Sequence, residues 1–367
     1  MHRSKSQLAD AEGWGGLVVR IGIVGCNYGR MVHLPAFRTD PRCEIVALAG
    51  TDAVRTAQLA RESGVAHGFG NWEALVEHRD VDAVVIATPP QAQPQIALRA
   101  LALGKPVFVE KPIAADLAGA ADLVRSAASS RCPAMVDFQF AEIAAWRRAK
   151  ELLDGGAIGR LRHVMVTWNV ENVATRLRLK SWKTSREAGG GTLGNFVSHC
   201  FYYLEWFCGP FSGLSARLFG LPDAGPDNES TAVLAFALAS NAGGSLAVSS
   251  ASYLGSGHRI EFYGEDGTLT LANRTTDTMR GFELMHARRP AAALAAIDVQ
   301  DPLDSGFPDG RIAPVARLAA RFLDAIEQGT PAWPGLAEGY RVQQLIDAAR
   351  RSHDLGRWID TAPEALT

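Results

Sequence analysis

Val107-Phe-Val-Glu-Lys-Pro-Ile113 runs an apolar strand straight into an acid, a cation and a proline. A strand that stops on Lys-Pro offers one ammonium at a fixed place. Open α/β sheets bind ligands in the crevice beyond the carboxyl ends of their strands. Lys111 therefore stands on a ligand edge if the surrounding chain builds such a sheet. Taken alone, a lysine closing a strand at the surface is the ordinary reading, and the neighbouring sequence decides between the two.

Upstream, strand and helix alternate. Val18 to Gly25 is a short β-branched run stopped by glycine, as a strand buried on both faces requires. Gly25-Cys-Asn-Tyr-Gly-Arg30, which contains Asn27, Tyr28 and Gly29, leads into a short helix over Met31 to Phe37 that Pro35 confines. Such a turn lets backbone N–H groups and a helix N-terminus meet a pyrophosphate. It departs from G-x-G-x-x-G, because Asn27 holds the second glycine position and the third glycine falls one residue early at Gly29. Asn tolerates positive φ, so a tight turn remains available.

Glu44 to Ala49 is the second strand, and Gly50, Thr51, Asp52 and Arg55 follow at its tip. An acid here, about 20 residues past the turn, would grip the ribose 2′-hydroxyl of NAD. A glycine at the tip with a hydroxyl and a cation close behind leaves room for a 2′-phosphate and favours NADP. If Asp52 reaches the ribose, the cofactor is NAD. Helices at Ala53 to Ser63, Asn71 to Glu77, Ala92 to Leu103 and Asp116 to Ser129 alternate with strands at Val81 to Ala87, Lys105 to Val109 and Ala134 to Phe138. This pattern predicts a Rossmann-type, doubly wound parallel sheet over 18–138, with Lys111 on its cofactor edge.

After Phe138 the texture changes. A helix from Ala141 to Leu153 stops at two glycines, and six alternating strands follow: Leu161 to Val170, Leu214 to Phe219, Ser230 to Leu238, Gly244 to Ser250, His258 to Tyr263 and Thr268 to Leu271. Short turns such as Glu265-Asp-Gly267 join them, which predicts an α+β domain over 139–367 on a mostly antiparallel open sheet. Glu187-Ala-Gly-Gly-Gly191 opens a helix over Thr192 to Cys208 that carries Asn195 and His199 on one face. Glycines there let another backbone or a ligand approach closely. Residues 172–187 read as a solvated loop or subunit-contact arm with five basic residues, 287–311 as irregular, and Ile312 to Gln328 and Leu336 to His353 as amphipathic helices.

Composition bounds the rest. With 367 residues, 47% hydrophobic and 21% charged, and a formal net charge of -2, the chain suits two globular domains and lacks the basic character of a nucleic-acid binder. Five cysteines without a C-x-x-C spacing suggest a reduced, cytoplasmic setting, and nine scattered histidines without an i, i+4 pair predict no metal. The polar, Gly-rich start, residues 1–17, reads as a disordered leader, and no apolar run is long enough to span a membrane. An open second sheet needs a cover, and a symmetric copy in a dimer or tetramer supplies one.

With these pieces placed, the chain resembles the Gfo/Idh/MocA oxidoreductases from Arg20 to about Trp358. The resemblance rests on the Gly25-to-Arg30 turn with His33-Leu-Pro35, Ala87-Thr-Pro-Pro90, Glu110-Lys111-Pro112, and Gly189-Gly-Gly-Thr-Leu-Gly-Asn-Phe-Val-Ser-His199. It implies NAD or NADP as cofactor, a sugar, cyclitol or related polyol as substrate, and catalytic roles for Lys111 and His199. It assigns substrate contact to Asn195, Trp182, Lys183 and Trp168. Cofactor contact falls to the Gly25-to-Arg30 turn, Thr51, Asp52, Arg55, Thr88, Pro89, Pro90, Gln93, Glu110 and Lys111. The family pattern usually has Asp in place of Asn195, Gly in place of Val197 and His in place of Gln93. An amide orients a hydroxyl but cannot exchange a proton as a carboxylate does.

The expected reaction is hydride transfer at a carbinol carbon, with Lys111 and His199 handling the hydroxyl proton. The Lys111-Pro112 bond is expected to be cis, as relatives often show. Two other readings keep the fold: a glycosidase that oxidises its substrate transiently with bound NAD, and a non-catalytic, dinucleotide-responsive binding protein.

Overall fold

The computed structural model describes residues 18–221 and 228–363; the expected leader lies outside the described residues. The chain forms two compact units. The first takes the chain up to Ala114, Ala118–Asp137 and Val315–Tyr340; the second takes Ala115–Leu117, Phe138–Pro314 and Arg341 onward.

In the first unit, strands β1 (Val19–Val24), β2 (Cys43–Ala49), β3 (His67–Phe69), β4 (Ala83–Ile86), β5 (Val107–Val109) and β6 (Ala134–Val136) form one sheet in the order β3-β2-β1-β4-β5-β6. Every pairing is parallel, and this order is the one that binds dinucleotides where it reverses, between β1 and β4. Ile21, Ile23, Val84, Val85, Phe108 and Val109 are fully buried, as strands covered on both faces require. The connecting helices are α1 (Leu34–Phe37), α2 (Ala53–Glu62), α3 (Trp72–Val76), α4 (Gln93–Ala102) and α5 (Leu117–Ala127). Side-chain caps start two of them: Asp52 accepts from the Arg55 N–H at 3.0 Å, and Asn71 from that of Ala74 at 2.8 Å.

The second unit holds α6 (Ala144–Asp154), β7 (Leu161–Asn169), α7 (Val173–Arg176), α8 (Ser198–Cys208), β8 (Phe211–Phe219), β9 (Thr231–Leu238), β10 (Gly243–Ser249), β11 (Gly257–Gly264), β12 (Gly267–Asn273), β13 (Glu283–Arg288) and β14 (Ala295–Ile297). Helices α9 (Ile312–Gln328) and α10 (Leu336–Leu355) and the short β15 (Ile359–Asp360) close the chain. The sheet order is β14-β13-β12-β11-β7-β10-β9-β8-β15, antiparallel throughout except for β7 beside β10. Val164, Val166 and Trp168 of β7 turn inward with Ile260 and Phe262 of β11, and Thr167, Arg259 and Glu261 take the other face.

The expected fold class therefore stands, with differences of detail. β3, β13 and β15 were not foreseen, α7 lies inside the expected loop 172–187, and 287–311 is not wholly irregular, since it contains the end of β13 and all of β14. The helix expected from Met31 opens as a π turn over Gly29–His33, and the one expected from Thr192 opens as a π turn over Leu193–Val197. The chain also returns to the first unit late. Phe322 of α9 packs edge-on against Phe37 and Phe108, with ring centroids 6.4 and 5.8 Å away. Arg42 donates to Asp324 at 2.7 Å and to Glu327 at 3.0 Å.

Candidate active site

The parallel sheet lines up candidate residues beyond its carboxyl ends. After β1, Gly25 takes φ 116°, and a Cβ there would collide with the Ala87 carbonyl. Gly29 seats the π turn on β1, where an added Cβ would lie 2.7 Å from Ile23 Cγ2. Asn27 does not take positive φ; among the described non-glycine residues that conformation occurs at Arg178, Asn241 and Leu254. Gly25 alone makes the turn that Asn27 was expected to share.

After β2, Thr51, Asp52 and Arg55 are exposed, and one Asp52 oxygen is engaged in capping α2. After β4, Thr88 Oγ1 is buried without a hydrogen-bond partner, as is Arg30 Nε in the first turn. Buried polar atoms are rarely left unsatisfied in a finished structure. These two, on the edge where the strand order reverses, are what a dinucleotide site would leave open for its ligand.

After β5, Lys111 is half-buried and the Lys111-Pro112 bond is cis, as expected. Gln93, expected to touch the cofactor, is fully buried, and its amide donates to the Pro112 carbonyl at 2.7 Å. It braces the Lys-Pro turn from within. Glu110 belongs to a cluster that the sequence did not bring together. The fully buried His33 sets Nε2 2.9 Å from Glu110 Oε1 and 3.1 Å from Asp137 Oδ2, the latter just beyond β6. Burial alone would push the His33 pKa down, but hydrogen bonds to Asp137 and Glu110 outweigh it and raise it to about 9. Burial, and the nearby Glu110 charge, push Asp137 up to about 7. An acid directly after a buried apolar strand was the available signal for Asp137.

The second unit carries the other candidates. His199, in the first turn of α8, is 7% exposed, with the Phe140 ring edge-on at 4.7 Å and the Trp168 ring at 6.3 Å. Trp168 is itself 3% exposed; it stacks on His258 at 4.2 Å and meets Phe196 edge-on at 4.9 Å. It therefore backs His199 and Phe196. Burial pushes the His258 pKa down to about 3, so that ring is neutral, and its Nε2 lies 3.0 Å from the Tyr203 hydroxyl. Asn195 donates through Nδ2 to the Lys183 and Gly191 carbonyls, each at 2.8 Å. Trp182 is half-buried and Lys183 exposed, with the ammonium 5.8 Å from the centre of the Trp182 ring.

The fold also gathers His67, His78 and Asp80, which the spacing did not suggest. That group is satisfied internally, since His78 Nδ1 accepts the Asp80 N–H at 3.3 Å and Asp80 pairs with Arg20 at 2.8 Å. Among the described residues no helix is long and apolar enough to cross a membrane.

Known proteins match both halves. Residues 19–138 match "Oxidoreductase family, NAD-binding Rossmann fold" and residues 146–270 match "GFO/IDH/MocA C-terminal domain". "Uncharacterized oxidoreductase sll0816" of Synechocystis sp. is 31% identical over 353 residues, covering 92% of this chain and 95% of that protein. Levoglucosan dehydrogenase of Pseudarthrobacter phenanthrenivorans is 23% identical over 93% of this chain and 98% of its own length. A structure of levoglucosan dehydrogenase in complex with NADH and levoglucosan shares the fold with a TM-score of 0.85, at 22% identity over 94% of this chain and all of that one. By sequence across both halves, this chain belongs to the Gfo/Idh/MocA family of NAD-binding oxidoreductases.

Proposed function

We propose that this oxidoreductase transfers a hydride between the nicotinamide of NAD or NADP and a carbinol or carbonyl carbon of a sugar, cyclitol or related polyol. One observation carries the reading: Lys111 stands directly beyond β5, on the ligand edge of a sheet with the dinucleotide-binding strand order. The nicotinamide, when bound, supplies the hydride chemistry. Lys111 takes the hydroxyl proton during oxidation and returns it during reduction, and His199 assists by polarising or relaying. Asn195 and the Trp182-Lys183 pair contact the substrate, with Trp168 behind them. The names of similar proteins, a levoglucosan dehydrogenase and a 1,5-anhydro-D-fructose reductase of Ensifer adhaerens, support the sugar-like class.

Gly25, Asn27, Tyr28, Gly29, Arg30, Thr88, Pro89, Pro90 and Glu110 border the dinucleotide. Thr51 and Arg55, exposed beyond β2, suit the 2′-phosphate of NADP, while one Asp52 oxygen is held by the α2 cap. The NADH complexes of the similar dehydrogenase favour the second reading, in which Asp52 turns its other oxygen to the ribose of NAD. Bound ligand stabilises the folded state in proportion to affinity. NADPH is expected to raise Tm more than NADH at equal concentration, and the reverse order assigns NAD.

Lys111→Met is expected to lower kcat by about 10² to 10⁴ with NADH affinity retained, the usual worth of a positioned proton-transfer group. Near-normal turnover in that variant would sink the reading. Incubation with glycosides separates the glycosidase alternative, which releases sugar without net change in nicotinamide absorbance. A non-catalytic binding protein shows neither.

A further inference from the structure

The second unit buries a carboxylate behind its glycine-led helix, and no step of the proposed reaction uses it. Glu229, just ahead of β9, is 7% exposed. Its Oε1 accepts from Arg350 Nε of α10 at 3.4 Å and lies 3.7 Å from Arg186 Nε of the Trp182-Lys183 loop. Arg350 Nη2 also donates to the Arg186 carbonyl at 3.5 Å, and Arg186 Nη2 donates to Asp354, one turn further along α10, at 3.4 Å. The Glu229 carbonyl accepts the Thr192 N–H at 2.8 Å and the Thr192 hydroxyl at 3.2 Å. One residue thus grips both ends of 186–192, the stretch that contains the three glycines.

We propose that Glu229 is a positioning residue for substrate binding: its carboxylate holds Arg186 and thereby fixes the Trp182-Lys183 pair where the sugar-like substrate meets it. Glycine backbone is permissive and has little stiffness of its own, so the loop takes its place from what holds its ends. A Cβ on Gly191 would lie 2.7 Å from Glu229 Oε2, so the carboxylate packs directly against that glycine. From Arg186 the placement passes along the backbone: the Ser185 N–H donates to the Trp182 carbonyl at 3.1 Å, and the Gly190 N–H to the Ser185 carbonyl at 2.9 Å. The charge of Glu229 matters as much as its shape. Two guanidinium groups approach the same oxygen, the Arg350 side chain 13% exposed and that of Arg186 36%. Without the negative charge between them the two cations repel. Arg186, the more exposed and the one followed by glycines, is the partner that moves.

The inference rests on the reading of the Trp182-Lys183 pair as a substrate contact, and the test separates the two. KM and kcat are measured with the preferred dinucleotide and the best-oxidised sugar of a panel that includes levoglucosan. The proteins are the wild type, Glu229→Gln, Arg186→Gln, the double variant and Trp182→Ala, and dinucleotide affinity, Tm and amide hydrogen exchange over 181–191 are read beside the kinetics. In Glu229→Gln, KM rises about tenfold with kcat within about twofold, the pattern of binding lost equally from ground and transition states. Dinucleotide affinity is unchanged, because the residues that border it lie in the first unit. Exchange over 181–187 quickens, as in a loop released from its anchor. Arg186→Gln behaves alike, and the double variant goes no further, since both changes break one contact.

A purely structural Glu229 would lower Tm while KM and loop exchange keep their wild-type values, and that result overturns the proposal. So do increases in KM that add in the double variant. If Glu229→Gln does not fold, Arg186→Gln decides alone, and an unmoved KM there rejects the idea. If no sugar of the panel is oxidised, loop exchange decides, and an unchanged rate in Glu229→Gln rejects it. An unmoved KM in Trp182→Ala removes the reading of the loop as a substrate contact; a raised KM there beside an unmoved one in Glu229→Gln removes only the inference.

Discussion

Asn195 occupies the position at which the family pattern usually carries Asp, and its surroundings are those of an amide. Two backbone carbonyls, of Lys183 and Gly191, lie 2.8 Å from Nδ2, and only a donor suits both. A carboxylate there would face two carbonyl oxygens. Asn195→Asp, though it restores the usual residue, is therefore expected to cost about 1–3 kcal/mol and to lower kcat/KM at least tenfold. Parallel Tm and rate measurements check this, and equal or faster turnover in the variant would count against it. At this scale the sequence was partly legible. Lys111, His199 and Asn195 announced themselves by motif, because a strand end and a glycine-led helix constrain where side chains go. His33 stood in a motif segment, but its meeting with Asp137 was not legible, since the two residues are 104 positions apart in sequence. Gln93 shows how a residue in the first turn of a helix serves two neighbours: its amide nitrogen donates to the Pro112 carbonyl, while its buried Oε1 has no hydrogen-bond partner.

The triple glycine illustrates the next scale. Gly189 and Gly191 take φ of 79° and 72°, and a Cβ on Gly190 would collide with the Trp182 carbonyl. The room was expected for a backbone or a ligand, and the backbone of the Trp182-Lys183 loop fills it. Asn195 then ties that loop from the π turn. Gly190→Ala should displace the loop, costing at least about 1 kcal/mol, because the native backbone cannot accept the side chain without moving. The expected pattern is a raised KM for the sugar-like substrate with NADH affinity unchanged, read by steady-state kinetics and ligand titration. Elements with a strong period, such as β7 and β11, were legible because alternation over eight or nine residues is a reliable signal. β3 and β14, three residues each and half-buried or exposed, carry no period to read. The two π turns were invisible because they differ from an α turn by one residue in hydrogen-bond spacing.

For the whole molecule, the parallel sheet followed from alternation, since a chain that repeats strand and helix has few ways to form a right-handed parallel sheet. The outward face of the second sheet bears on assembly. Val233 pairs with Ala247 on that face, Ala235 and Met165 flank Ser245 in the next row, and Val233 is 45% exposed. A second copy covering this face accounts for such a row, so the wild type is expected to run as a dimer or tetramer in light scattering, and Val233→Glu as a smaller species. What the alternation could not reveal is the late return of Val315–Tyr340 to the first unit. Phe322 completes an aromatic cluster begun by Phe37 and Phe108, and Asp324 and Glu327 receive Arg42. During synthesis the ribosome therefore delivers all of β1 to β14 before the first core has its last ring. Until then the nascent chain carries Phe37 and Phe108 without that partner, and a holding chaperone has a defined apolar patch to recognise for the time needed to translate more than two hundred further residues.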